Sequence, residues 1–411
     1  MQQTDGETIQ FYKSNNFMRS WSLQTGAVCT REEVALSTSR APPEARFRPA
    51  PEAKVVKEVK DAKEVPARQQ AKSDPYLNTF NAVLNAAEAT SSAVNGFQAW
   101  LHAPVPAKPV KSVSPAPAAP AKPVPPFDIQ DIPGAMRSVG MPMSAKLMER
   151  WFAGALNYLP TSKDEENEVN QNGLPYRSEM IDTTSITMEW LLSFQRVKDG
   201  LNELVGRLNT PAAKNKIRLV LQPYQRQEDI LTMVRCGNDV QKLHREFQFQ
   251  YAPMGSALSD QFSSIMSASL FNKGVPDDLV GALGSLNLYA AVSYAKFDHK
   301  YNSALVTHIS VYAKDHYTFT DKPGEASQYL GHWNRKHVAL VPVHYAAQLA
   351  NINWIDYPIS QGDMTLKDNF LYPVLSKDFR AWQLLHQQGG DFIIYSDRIG
   401  VRLESPIRVS L

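Results

Sequence analysis

The sequence predicts an α+β fold: a helical first half packed on an antiparallel β second half, behind a disordered Pro- and Ala-rich arm. Three observations predict it. Helical periodicities dominate the chain from Phe127 to about Leu221, strand-like runs dominate it after Leu286, and a proline tract separates both from what precedes them. The strongest β signal is a hairpin. Leu286–Phe297 and Leu305–Ala313, rich in β-branched and aromatic residues, flank a polar turn at Asp298–Ser303.

The arm comprises residues 1–126. Its first 40 residues are polar with scattered aromatics (Phe11, Tyr12, Phe17, Trp21), which either dock or belong to a poorly ordered start. Ala41–Lys72 is rich in Pro, Lys and Glu and buries too little apolar surface to offset ordering entropy. An amphipathic helix is expected near 75–102, where Tyr76, Phe80, Val83, Leu84, Ala87, Val94, Phe97 and Leu101 recur at helical spacing. It either packs on the chain's own domain or docks on a chaperone or delivery protein. Residues 103–126 carry nine prolines and predict an extended spacer that ends at the domain 127–411.

Within the domain, Met143, Leu147, Met148, Trp151, Phe152 and Leu156 make a core face on a helix that starts after Gly140-Met-Pro142. The acidic stretch Ser162–Asn172 reads as a solvated loop. Thr183 or Thr184 caps a helix running to about Leu208, and Thr210-Pro211 starts Ala212–Leu221. Ser259–Leu270 and Pro276–Leu283 are shorter helical candidates. Lys336–Val343 reads as a strand and His344–Pro373 as irregular. Ser376 caps a helix that Gly389-Gly390 stop, and Asp391–Asp397 with Gly400–Val409 read as a second hairpin.

Composition narrows the function classes. Lys plus Arg number 43 against 41 Asp plus Glu, a net charge of +2, so nucleic-acid binding is not supported. The two cysteines, Cys29 and Cys236, have no companion spacing for a disulfide framework or structural zinc. The N-terminus lacks a secretory signal and no apolar run is long enough to span a bilayer, so the chain is expected to be cytoplasmic in its producer and to leave without a cleaved signal. The Gly255–Ala295 region is mildly apolar. Asp260, Lys273, Asp277 and Asp278 interrupt it, so core packing outweighs membrane entry.

Chemistry is sought among the histidines, eight of which follow Arg235. His308 shares a strand face with Ser310 and Tyr312, and Asp315-His316 follows where the strand is expected to end. His316 is the leading acid–base candidate, with Asp315, His308, His332 and Asp391 as partners; Arg335 and Asp397 are further neighbours. Structural histidines, and turn aspartates at Asp391 and Asp397, are the commoner outcome for such residues. No HExxH, HxH, GxSxG or phosphate-loop motif is present, and no cofactor or metal is assigned.

Several segments carry a resemblance. AMRSVGMPMSAKLMERWF, ITMEWLLSF, Ala282-Leu-Gly with LNLYAAVSY, VYAKDHYTFTD with QYLGHWN, and FRAWQLLHQQGGDFIIYSD together resemble an uncharacterised bacterial domain family encoded beside the spike and PAAR proteins of type VI secretion systems. The resemblance covers most of 127–411 and none of the arm. It implies a cargo effector, with an antibacterial toxin domain and an N-terminal loading arm that engages the spike, a PAAR protein or a chaperone. A toxin of this kind has a cognate immunity protein. The alternative is a non-catalytic adaptor of the spike. The resemblance implies no reaction and assigns no catalytic residue.

Overall fold

The computed structural model describes residues 7–14, 21–29, 36–45, 127–254, 276–284, 286–321, 327–339, 358–361 and 370–411. The helix expected near 75–102, the spacer 103–126, the candidate Ser259–Leu270 and most of His344–Pro373 lie outside them.

The N-terminal arm does not read as disorder throughout. β1 (Glu7–Ser14) and β2 (Trp21–Cys29) form an antiparallel hairpin. Polar and apolar residues alternate through much of ETIQFYKS and WSLQTGAVC, the period of a strand, which the expectation of a disordered start passed over. A 3₁₀ turn at Ile129–Asp131, capped by the Asp128 side chain, leads into α1 (Ile132–Ser138) and α2 (Pro142–Ala153). The two are separated at Gly140, whose φ of 83° is left-handed. Trp151 and Phe152 of α2 are buried as expected.

The acidic stretch is not simply a loop. Thr161 accepts a hydrogen bond from the Asp164 amide and starts α3 (Ser162–Asn167), which ends on Glu168 in the left-handed conformation. After the short β3 (Ile181–Asp182), the single helix expected to Leu208 is two: α4 (Met188–Leu192), capped by Thr187, and α5 (Gln195–Gly206). The break falls where the Ser193 hydroxyl turns back to the Trp190 carbonyl at 2.6 Å, a local bond that competes with the helix ladder. Then come α6 (Pro211–Leu221), with Thr210 as its cap, β4 (Asp229–Leu231), α7 (Thr232–Cys236), α8 (Val240–Phe247), β5 (Gln248–Met254) and α9 (Asp278–Leu283).

The hairpin is β6 (Leu286–Asp298) and β7 (Ser303–Tyr317), with Asn302 at φ 46° in the turn. β7 outruns its expected end, so Asp315 and His316 lie inside a paired strand. β8 (Tyr329–Trp333), β9 (Val338–Ala339), β10 (Ile359–Gln361) and β11 (Phe370–Leu375) follow. Ser376 is the first residue of α10 (Ser376–His386) and not its cap; Asp378 instead accepts from the Leu375 amide at 2.8 Å. β12 (Phe392–Tyr395) and β13 (Ile399–Ser410) are not a hairpin. Each pairs with β7, β12 beside residues 314–317 and β13 beside 303–311, so one strand is lined by two successive partners.

The strands make two sheets, seven-stranded around β6 and β7 and six-stranded in the order β2-β1-β10-β11-β8-β9. Pairing is antiparallel except β12 with β3 and β1 with β10. Helices in the first half and mostly antiparallel sheets in the second make the fold α+β, as expected. Trp151, Phe319, Phe379 and Trp382 pack in the core, with Phe319 and Phe379 stacked 3.9 Å apart. Among the described residues no helix is long and apolar enough to cross a membrane, and Leu286–Ala295 of the mildly apolar region is built into the central strand β6.

Candidate functional site

Strand alternation puts Tyr312, Lys314, His316 and Thr318 on one side of β7 and Ala313, Asp315 and Tyr317 on the other. The first side carries a row of ionisable contacts. Lys314 Nζ meets Glu168 Oε1 at 2.5 Å and lies 5.7 Å from the centre of the Tyr395 ring. His316 Nδ1 lies 3.2 Å from Glu165 Oε1. At the far end of the row, the Tyr312 hydroxyl is 2.9 Å from His244 Nδ1.

Both glutamates come from the segment that was read as solvated. α3 presents Glu165, and its left-handed C-cap presents Glu168. A non-glycine residue in that conformation costs roughly 1–2 kcal/mol, which the Lys314 ion pair opposes. The bond from His316 holds the Glu165 carboxyl below the usual carboxylate range. Burial pushes the Glu168 carboxyl up, but the Lys314 ammonium more than offsets it and the net direction is down. Burial, followed by the nearby Lys314 charge, lowers His244 to about 4, so this imidazole is neutral near pH 7.

With Nδ1–H donating to Glu165, the basic lone pair of His316 is on Nε2. That atom is buried and has no hydrogen-bond partner. An imidazole fixed through one nitrogen by a carboxylate, with the other nitrogen uncommitted, is an arrangement that general-base chemistry uses.

The expected partners are placed otherwise. Asp315 follows the opposite side of β7, so it is not the carboxylate that orients His316; burial raises its carboxyl well above the usual range. His308 is exposed, bonded to Thr307 Oγ1 at 2.9 Å. Eight residues of strand, roughly 26 Å, separate it from His316. His332 belongs to the six-stranded sheet, fully buried, with Nδ1 2.5 Å from the Tyr329 hydroxyl. Arg335 donates to Asp131 and Asp397 accepts from the Met188 amide.

Asp391 does come close, because Phe392 pairs with Tyr317 and Ile393 with His316. Its carboxylate is already engaged. It accepts from Trp151 Nε1 at 2.9 Å, Thr318 Oγ1 at 2.7 Å, the Leu159 amide at 3.4 Å and Arg380 Nη2 at 3.4 Å. Asp391 is thus a buried junction between α2, the residue that follows β7, and α10, neither a turn residue nor a partner of His316. Among the described residues no group of three or more His, Cys, Asp or Glu is arranged to hold a metal ion.

Sequence reasoning missed Glu165, Glu168 and His244. The available signal was Thr161 before an acidic run, a helix start that puts Glu165 and Glu168 three residues apart on one face.

Residues 127–411 match a family model described as "Family of unknown function (DUF6402)". The chain belongs to this family. His316, Glu165, Lys314, Glu168 and His244 all fall within the DUF6402 portion, whereas β1, β2 and residues 36–45 fall before it. No curated protein and no solved structure matches the chain.

Proposed function

We propose that the protein is a type VI secretion effector whose 127–411 domain acts on a component of a recipient bacterium by acid–base chemistry at His316. Glu165 fixes the ring, and Nε2 takes a proton from water or from a substrate hydroxyl. The observation that carries the chemistry is the Glu165–His316 bond of 3.2 Å combined with an Nε2 that has no partner. The delivery half of the reading is supported by the resemblance of the 127–411 motifs to proteins encoded beside spike and PAAR components. On this reading the protein is made in the producer's cytoplasm, loaded through its N-terminal portion onto the spike, a PAAR protein or a chaperone, and neutralised at home by an immunity protein.

The test is growth after expression of the full chain in a bacterial cytoplasm and, separately, with a periplasmic signal. Killing in one compartment is expected, and His316→Ala is expected to remove it, since a general base contributes about 10²–10⁴-fold. Normal growth in both compartments rejects the toxin. Killing by a His316→Ala protein of unchanged melting temperature rejects the centre.

One observation favours a second reading, a non-catalytic adaptor of the spike. The row's acids and bases satisfy one another, and Nε2 is shielded from solvent. An adaptor binds the neighbouring spike protein equally well as wild type and as His316→Ala, and slows growth in neither compartment.

A further inference from the structure

Residues 36–45, which precede the family-matched domain, lie against it with a dense set of bonds. The Ser37 amide donates to the Phe127 carbonyl at 2.8 Å, and the Ile129 amide to the Ser37 carbonyl at 2.9 Å. The Ser37 hydroxyl donates to Asp128 Oδ2 at 2.8 Å. Arg40 Nη2 reaches Asp131 Oδ1 at 2.6 Å, and Gln130 Nε2 donates to the Arg40 carbonyl at 2.9 Å. From the far side, His386 Nε2 lies 2.7 Å from the Thr38 carbonyl and Gln388 Nε2 donates to the Pro43 carbonyl at 2.8 Å.

These contacts read the segment in two ways. Backbone carbonyls and amides are bonded along its length, which suits any extended peptide; the carboxylates of Asp128 and Asp131 select a hydroxyl and an arginine three residues apart. Pro42 and Pro43 offer no amide that needs a partner. The bridge between Ser37 and Asp128 sets the start of the segment beside the start of the family-matched domain.

We propose that Asp128, Asp131, His386 and Gln388 form a peptide-docking groove, filled in cis by residues 36–45 and binding them without need of the covalent connection. The pairing of β1 with β10 gives the N-terminal portion a second attachment. The proposal does not depend on the domain being a toxin.

The test uses the full chain with protease recognition sequences inserted after Glu33 and after Pro104, both cut once folded, so that the excised fragment lacks β1 and carries residues 36–45 as its attachment. At micromolar concentration the excised fragment is expected to co-elute with the remainder on size exclusion. Ser37→Ala with Arg40→Glu is expected to speed its release at least about tenfold, the loss of one charge-assisted bond. Immediate separation of the wild-type fragments overturns the proposal, as does a double variant whose fragment stays bound as long as the wild type. Concentration-dependent dimers, or exchange of the segment between labelled and unlabelled intact chains, overturn the assignment in cis.

Discussion

Glu165 and Asp391 both lie near His316, yet their surroundings push them in opposite directions. Glu165 is held low by the bond from His316, whereas burial raises Asp391 despite the opposing pull of Arg380. The two carboxylates therefore answer differently to substitution. Asp391→Ala strands the Trp151 indole N–H and the Leu159 amide, and leaves Arg380 without its buried partner. A loss of about 3–5 kcal/mol in urea unfolding is expected, with any loss of toxicity following the loss of fold. Glu165 is more exposed, so Glu165→Gln is expected to cost no more than about 1 kcal/mol. On the proposed mechanism it nonetheless cuts killing, because the amide no longer carries the charge that stabilises the imidazolium. Equal stability losses for the two variants, or undiminished killing by Glu165→Gln, would argue that Glu165 is structural.

At the scale of elements, β6 and β7 were legible because their residues alternate and a turn separates them; the end of β7 was not. Lys314, Asp315 and His316 look like the polar close of a strand, and it is the pairing with β12, together with that of Lys314 with Asn287 of β6, that shows they continue it. Periodicity also says nothing about which strand a run will pair with, so β12 and β13 read as partners of each other. The device that divides them along β7 is Ser396, whose hydroxyl accepts from the Ala313 amide at 2.8 Å and donates to the Asp397 carbonyl at 2.6 Å. Ser396→Ala leaves a buried amide unpaired, and a loss of about 1–3 kcal/mol is expected from the unfolding midpoint at unchanged slope. Gly390 is a second such point. Its amide bonds the Trp151 carbonyl at 3.0 Å, and a Cβ there would stand 2.7 Å from the Ala155 carbonyl oxygen. Gly390→Ala is expected to cost about 1–3 kcal/mol by forcing these two backbones apart, read in the same unfolding measurement. Neither glycine-to-backbone contact nor the Glu165–His316 pair is visible in sequence, since each joins residues more than 150 positions apart.

At the scale of the whole molecule, His244 ties the helical half to the sheet. From α8 its ring meets Tyr289 of β6, Tyr312 of β7 and Tyr395 of β12, and it shares a hydrogen bond with Tyr312. Burial, and after it Lys314, lowers this histidine from 6.5 to about 4, so the native protein resists a proton that the unfolded chain accepts. The sign follows directly. Above pH 6.5 neither state carries the proton and stability is at its full value; between 6.5 and 4 only the unfolded state is protonated and stability falls with pH; below 4 both states take the proton and the loss levels off. A shift of this size corresponds to roughly 3 kcal/mol, most of it gone by pH 4.5. His244→Asn removes the titrating group while leaving polar atoms for the Tyr312 hydroxyl. The variant is expected to be less stable than wild type at pH 7, and to lose roughly 2–3 kcal/mol less between pH 7 and pH 4.5 in urea unfolding followed by tyrosine and tryptophan fluorescence. Parallel losses in the two proteins over that interval would place the acid sensitivity elsewhere, and the carboxylates Glu165 and Glu168, held low by the bond from His316 and by Lys314 respectively, would be the next to substitute.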